Sequence, residues 1–422
     1  MRKIGILAVV AIFLVSTPIL AQGATKPVAQ IPMTLVATLA PSSQTVGMVV
    51  NGRMIYLLGT ITGVVSTDGF VQALDSKGEV RWSLPLDNGS NEIATAATFD
   101  SAGNLWVVGS AQTTNTTFTP PPTDTTTATT SVTPTPVPAP TVLNPDGITV
   151  DPLVLMRKDL TAITLWKISP SGVLLATYAK EIGSPFLVRG AIFANNSIAV
   201  VGIISTPSGH AGFLILADLN GSFGKPILAG KSNTELNGLS KKSDGSLVLL
   251  GSSAETIAKH RRIGVKDGII VVMSKAGRMT SLIRSSNTAS NRSWQSGTNS
   301  FLLGGDALTS TKQEAVVTKF GSTFVPLWTR RFDSSGPALT ADSPTSHFFF
   351  FPSVGAIAGV KGWKPRKASA LTLSLDSKGI LKGAYGAPAI STPMAVGYSR
   401  DLGLVVLGQG SAGVSVFRTL PR

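Results

Sequence analysis

Short apolar runs alternate with turn-forming residues along the whole chain, and the stretch 68–110 shows this pattern most clearly. It contains four apolar runs, FVQALD, EVRWSL, IATAATFD and NLWVVGS. The segments between them, SKG, DNGS and SAG, are rich in residues that favour tight reversals. The pattern therefore predicts four short strands joined by turns, which is the unit of an all-β protein.

One half of this unit, a strand that ends in two apolar residues and a glycine, recurs through the sequence. Copies end at Gly59, Gly109, Gly202, Gly251, Gly304 and Gly408, and a degenerate copy lies at 348–352. The spacing is close to fifty residues, or to twice that where an insertion or the degenerate copy intervenes. Seven four-stranded units of this length are typical of a β-propeller.

The two ends of the chain supply complementary parts of one unit. The last copy has only the strand VSVFRTL at 414–420, and PMTLVAT at 32–38 has similar apolar character and no partner of its own. We therefore predict a seven-bladed β-propeller over 31–422, with four-stranded blades and a last blade completed by the N-terminal strand. A β-sandwich is the alternative, and six or eight blades stay open because one copy is weak.

The best copy also resembles a known repeat. DGFVQALDSKGEVRWSL followed by ATAATFDSAGNLWVVGS is similar to the SBBP-type repeat of secreted bacterial proteins, in which DAFVAKLD-x-x-G precedes AVD-x-x-GN and an apolar strand. The match is good over 68–110, fair over 211–252 and loose elsewhere, and residues 332–352 depart furthest. The resemblance implies a propeller fold and secretion. It gives no functional residue, because the family's repeat residues are structural.

The N-terminus has the pattern of a secretory signal. A basic start, MRK, precedes an apolar run over 4–15 and small residues up to Ala24. About a dozen apolar residues are too few for a bilayer span, which needs roughly twenty. We predict a signal peptide over 1–24, cleaved between 21 and 24, although an uncleaved anchor is the alternative. The mature protein is then secreted or associated with a bacterial cell envelope, without a transmembrane segment. The chain has no cysteine, which excludes disulfides and thiolate chemistry.

Residues 113–140 do not fit the repeat. They consist almost entirely of threonine and proline, and such a composition is extended and cannot form a core. We predict a disordered insertion between the second and third strands of the second blade. It is either a projecting spacer that carries glycans or a tolerated insertion, since long surface loops add little to the free energy of loop closure.

The charge balance suggests the kind of partner. The chain has 36 Lys and Arg against 22 Asp and Glu, a net charge of +14, which favours anionic partners or simply solubility. In a propeller, the loops between second and third strands and those between blades share one face. The candidate ligand-binding residues on that face are Arg261, Arg262, Arg292, Trp294, Lys361, Trp363, Lys364, Arg366 and Lys367. Charge and ring stacking together predict binding of an anionic surface polymer or a protein partner.

Catalytic patterns are missing from the sequence. His210, His260 and His347 have no metal-ligand spacing, and there is no G-x-S-x-G motif. The leading hypothesis is an exported, non-enzymatic, monomeric binding module without a cofactor or metal. The alternatives are an extracellular propeller hydrolase or lyase that acts on polysaccharide through acids in the central channel, and a structural cell-surface protein. Nucleic acid is not an expected partner, because no nucleic-acid motif is present.

Overall fold

The structure is a computed structural model that describes residues 27–39, 43–62, 66–112, 156–286 and 289–420. The proposed signal peptide (1–24) and the Thr/Pro-rich insertion (113–140) lie outside these ranges. The regular secondary structure of the described residues is entirely β-strand.

The strands follow one another in short hairpins, as the turn residues predict. In chain order they are β1 (Val28–Pro32), β2 (Thr34–Thr38), β3 (Ser43–Asn51), β4 (Met54–Thr62), β5 (Thr67–Leu74), β6 (Val80–Leu86), β7 (Glu92–Phe99), β8 (Leu105–Gln112), β9 (Leu160–Ile168), β10 (Leu174–Glu181), β11 (Phe186–Ala194), β12 (Ser197–Thr206), β13 (Gly209–Asp218), β14 (Ile227–Ala229), β15 (Thr234–Lys241), β16 (Leu247–Ser253), β17 (Asp267–Met273), β18 (Met279–Ser285), β19 (Asn291–Gly297), β20 (Leu302–Leu308), β21 (Gln313–Phe320), β22 (Pro326–Asp333), β23 (Leu339–Asp342), β24 (His347–Ser353), β25 (Val360–Lys361), β26 (Ser369–Leu375), β27 (Leu381–Ala387), β28 (Thr392–Ser399), β29 (Gly403–Gly410) and β30 (Gly413–Arg418).

The strands build a β-propeller whose sheets stand side by side around a central axis. In the part of the chain that the structure describes, six sheets are four-stranded blades: β3–β6, β7–β10, β11–β14, β15–β18, β19–β22, and β28–β30 with β2. The first strand of each sheet is innermost. These inner strands contact one another in order around the ring, and β28 contacts β3, which closes it.

The prediction of seven four-stranded blades is wrong. Six sheets are four-stranded blades, whereas the sheet that contains the degenerate copy, between β22 and β28, has six strands in the order β23-β24-β26-β27-β1-β25. The additional strand β1 pairs in parallel with both β27 and β25. An outer strand has unpaired backbone groups on its free side, and β1 covers that side of β27.

The N-terminal segment 28–38, which we call the N-terminal clasp, joins two sheets. After β1, the strand β2 pairs antiparallel with β30, with Thr34 opposite Arg418 and Thr38 opposite Ser415. The expected completion of the last blade by the N-terminal strand is confirmed. Between β1 and β2, Met33 is buried, and its backbone N donates a 2.9 Å hydrogen bond to the carbonyl of Gly386. The clasp therefore fastens the last blade to the six-stranded sheet.

The recurrent glycines have a common steric origin. The inner strands β3, β7, β11 and β15 each contain a bulge, and the second strand places a glycine beside it. A Cβ at any of these glycines would overlap a carbonyl oxygen of the inner strand; they are Gly59, Gly109, Gly202 and Gly251. The register of β23 with β24 has no such bulge. The degenerate copy therefore needs no glycine, which explains its weakness in the sequence.

The core lies between neighbouring sheets. One buried cluster combines Trp106 of β8 with Phe186 and Phe213 of the next sheet, and each of these side chains is almost inaccessible to solvent. Each sheet is thus covered on both faces, as its apolar strands require. Among the described residues, no helix has the length and apolarity needed to cross a bilayer.

The contact of the clasp with the first blade gives a stability prediction. Gly78 lies in the β5–β6 turn with a φ of +86°, and an added Cβ would overlap the carbonyl oxygen of Val36 in β2. Gly183 has a similar φ of +78°, but its Cβ position is open. Gly183→Ala should cost only the left-handed conformation, about 1–2 kcal/mol. Gly78→Ala should cost about 1–3 kcal/mol more from overpacking.

Urea unfolding of the two variants measures this difference. Equal losses of unfolding free energy would show that the clasp does not press against the first blade.

Candidate functional site

Two exposed basic loops lie on one face of the ring. We call it the upper face; it carries the loops between second and third strands and the loops between sheets. Arg261 and Arg262 lie in the loop between β16 and β17. Four further exposed cations lie between β24 and β26: Lys361, Lys364, Arg366 and Lys367. The blade β19–β22 stands between the two loops, so they form two patches.

A buried ion pair anchors the first basic loop to its blade. The carboxylate of Asp267, at the start of β17, is fully buried and lies 3.0 Å from Nη1 of Arg284. Asp267 also accepts hydrogen bonds from the backbone N of Ile263 (2.9 Å) and Gly264 (2.8 Å). Arg284 donates through Nη2 to the carbonyl oxygen of Glu255, at the other end of the loop. The loop is therefore held at both ends from inside the blade.

The two arginines of this loop have different surroundings. Nη1 of Arg262 lies 3.3 Å from the carbonyl oxygens of both Ala254 and Val265, and donates to them. Part of this guanidinium thus stabilises the loop itself. Arg261 is exposed beside it, and we expect it to carry more of any contact with a ligand.

An inward-pointing tryptophan anchors the second basic loop to the core. Trp363 is only 5% exposed, and its Nε1 donates a 3.2 Å hydrogen bond to Oγ of Ser353 at the end of β24. Lys361 lies in β25, opposite Ala29 of the clasp. The loop is thus fixed to the core and to β1, while Lys364 and its basic neighbours stay exposed.

The ring-stacking part of the predicted site is not supported. Trp294 is fully buried, with its ring 5.8 Å from that of Phe320, and Trp363 is a core residue as described above. The guanidinium of Arg292 lies 4.4 Å from the ring centre of Trp294. Burial and the nearby charge of Arg331 lower the pKa of Arg292 to about 10. These three residues form part of the scaffold below the surface.

Ion pairs occupy the blade between the two basic loops. Nζ of Lys312 lies 3.0 Å from Glu314 and 2.7 Å from Asp333, and Arg331 also pairs with Glu314. Each cation of this group faces at least one carboxylate. This blade therefore separates the two basic loops by a group of paired charges.

A second charged group, which the sequence did not reveal, lies between the third and fourth blades. Oε1 of the buried Glu235 lies 3.0 Å from Nζ of Lys266 and 3.7 Å from Nε2 of His210, a charge contact too long for a hydrogen bond. Burial opposes ionisation, but His210 and Lys266 outweigh it and lower the pKa of Glu235 to about 2. Burial lowers the pKa of Arg189, which bulges from β11, and the charge of Glu235 opposes that change.

A third group, also missed, consists of three acids. One carboxylate oxygen from each of Asp68, Asp87 and Glu92 lies within 4.8 Å of the others. Burial, together with the charges of Asp87 and Asp68, raises the pKa of Glu92 to about 7. Nothing in the sequence predicts this group, because no local pattern shows that the loop after β6 returns to Asp68.

The fold has solved counterparts, but no family model and no curated protein matches the chain. Sqt1 of Chaetomium thermophilum, bound to the N-terminus of ribosomal protein L10, is 10% identical with a TM-score of 0.50, over 92% of this chain and 100% of that one. Hydrazine synthase of Kuenenia stuttgartiensis is 10% identical with a TM-score of 0.49, over 93% and 98%. YCF48 bound to a D1 peptide is 10% identical with a TM-score of 0.47, over 96% and 99%. At this identity the similarity to Sqt1 shows the fold alone, and the SBBP-type resemblance stays a prediction.

The buried group around Glu235 predicts a pH-dependent stability. Glu235→Gln should destabilise the protein by about 3 kcal/mol at pH 7, because it leaves Lys266 without its buried partner. The folded pKa is below the ordinary value of 4.5. The contribution of the carboxylate is therefore complete above pH 4.5 and is lost as the pH falls towards 2.

Urea unfolding of wild type and variant between pH 2 and 7 tests this expectation. The exposed pair partner Glu79 supplies the control, since Glu79→Gln should cost less than about 1 kcal/mol. A difference between wild type and Glu235→Gln that stays constant down to pH 2 would contradict the assignment.

Proposed function

We propose that the chain is an exported, non-enzymatic binding module whose upper face takes an acidic segment of a protein partner. The observation that supports it best is the pair of exposed basic loops on one face. Each loop is held in position by contacts of buried side chains. The Asp267–Arg284 pair holds one loop, and Trp363 holds the other. Loops on a rigid scaffold lose little conformational entropy on binding, which favours a recognition role.

The burial of the tryptophans favours a protein partner over a surface polymer. Sugars are commonly recognised by stacking on aromatic rings, and neither Trp294 nor Trp363 offers a free ring face. Charge alone remains for recognition, which suits the carboxylates of an acidic peptide. Sqt1, whose fold is similar, is bound to a ribosomal protein's N-terminus, so such a fold is compatible with holding a peptide. An anionic surface polymer is the alternative for the same cations.

The three acids do not favour a hydrolase. Glycosidases place two carboxyl groups about 5 to 9.5 Å apart on either side of an accessible bond. Here Glu92 is fully buried, and the three oxygens lie within 4.8 Å of one another. A sugar cannot reach between them, so we infer a role other than catalysis.

The proposal of export rests on the sequence of residues 1–24. A basic start, a short apolar run and small residues direct a chain to secretion. We include secretion in the proposal on this basis.

Charge-matched variants test the binding face. The upper-face variant combines Arg261→Ser, Lys364→Ser, Arg366→Ser and Lys367→Ser. Four such contacts contribute about 1–3 kcal/mol in total, so affinity for poly-L-glutamate should fall roughly 10- to 100-fold. Retention on poly-L-glutamate resin at rising salt measures the change.

The control removes the same charge from the opposite face. It combines Lys77→Ser, Lys275→Ser, Arg278→Ser and Lys378→Ser, four exposed cations in the turns between third and fourth strands. The control should elute with the wild type. Equal losses in both variants would show a response to net charge and contradict a specific face. Stronger retention on heparin resin than on poly-L-glutamate would favour the polymer over the acidic peptide.

A further inference from the structure

The three acids converge from two neighbouring blades. Asp68 lies at the start of β5 in the first blade, Asp87 follows β6, and Glu92 is the first residue of β7 in the second blade. Asp87 is exposed, Asp68 is half-buried and Glu92 is fully buried. The group is therefore open to solvent at Asp87 and closed at its base by the buried Glu92.

Glu92 has an unsatisfied oxygen at this base. Its Oε1 accepts hydrogen bonds from Oγ of Ser90 (3.0 Å) and from the backbone N of Asn88 (3.2 Å). Its Oε2 is inaccessible to solvent and has no hydrogen-bond partner. A buried carboxylate oxygen without a partner costs free energy. A cation between the three acids would satisfy it.

The two aspartates are oriented by their own loops. Oδ1 of Asp68 accepts from Oγ of Ser66 at 2.6 Å, and Oδ1 of Asp87 accepts from the backbone N of Gly89 at 2.7 Å. None of the ion pairs among the described residues includes Asp68, Asp87 or Glu92. Three carboxyl groups thus meet at one junction, in a chain with a large excess of cations.

In the fourth blade, the residue equivalent to Asp68 is paired with an arginine of the same blade. Asp267 begins β17 as Asp68 begins β5, and its carboxylate lies 3.0 Å from the guanidinium of Arg284. Arg284 pairs with the residue two positions after Asp267, and Pro85 pairs with the residue two positions after Asp68. Pro85 therefore stands where the fourth blade has its arginine. The first blade has no arginine at this position, and Asp87 and Glu92 place two further carboxyl groups beside Asp68.

We propose that Asp68, Asp87 and Glu92 bind one calcium ion at the junction of the first and second blades. Calcium takes oxygen ligands at about 2.3–2.6 Å, so oxygens on opposite sides of the ion lie about 5 Å apart. The observed spread of 4.8 Å or less fits this limit. Calcium tolerates irregular ligand sets, whereas magnesium demands near-ideal octahedral geometry. Water completes the coordination on the exposed side of Asp87.

Calcium titration of the full chain tests the site directly. Isothermal titration should give one site with a dissociation constant of about 10⁻⁴–10⁻³ M, the range of extracellular modules. At about 10 mM calcium, the Tm should rise by a few degrees over that in NaCl of equal ionic strength. Glu92→Gln keeps the shape of the side chain and should weaken calcium binding at least tenfold.

A second variant keeps the test decisive if Glu92→Gln fails to fold. Pro85→Arg places a guanidinium where the fourth blade has Arg284, and should raise the Tm without calcium while reducing the shift that calcium causes. Asp244→Asn is the control, since it removes one carboxylate from an exposed turn of the fourth blade, and it should keep the full shift.

Two results would overturn the proposal. One is a wild-type Tm that rises no more in calcium than in NaCl of equal ionic strength. The other is a shift that survives both Glu92→Gln and Pro85→Arg. Neither result depends on the partner of the basic loops, so this inference stands or falls apart from the proposed binding function.

Discussion

The structure depends on covering both faces of every sheet. The strands are apolar on both sides, and a sheet of this kind cannot be stable alone in water. Each sheet solves this by packing between two neighbours, as Trp106 does against Phe186 and Phe213. The arrangement has no natural end, so the ring must close. The N-terminal clasp makes the closure, because β2 completes the last blade and β1 extends the sheet before it.

Closure also explains where recognition can occur. The side chains on the faces of the strands are buried between sheets. Residues that contact a partner must therefore lie in the loops and at the strand ends. The buried pair Asp267–Arg284 shows how a loop can be fixed from below without a disulfide, which this cysteine-free chain lacks. Breaking such a pair leaves a buried charge without a partner. The shape of the basic loop is therefore coupled to the stability of its blade.

The sequence was sufficient for the features that repeat or that lie close together in the chain. Hairpins follow from local turn residues, and the period follows from glycines such as Gly109 and Gly251, whose Cβ would overlap the inner strand. The strand β1 could not be predicted, because its parallel partners lie more than 300 residues away and VAQIP has no repeat pattern. The tryptophans were misassigned because the sequence does not show whether a ring points inwards or outwards, and because Trp294 lies in the strand β19 and not in a loop. The groups around Glu235 and Glu92 were missed because they form only where neighbouring sheets meet.

Equivalent positions of different blades carry different charged residues in this ring. Where two blades meet on the upper face, acids at the strand starts need a counter-charge. The fourth blade supplies Arg284 to Asp267, and the third and fourth blades together supply His210 and Lys266 to Glu235. The first blade has Pro85 at the position of Arg284, yet it has Asp68 and Asp87, and the second blade places Glu92 beside them. With no arginine and three acids at this junction, the neutralising charge is shifted from the chain to a bound ion. That shift is a local change of sequence on an unchanged backbone, which is how a symmetric scaffold can acquire a site at one blade alone.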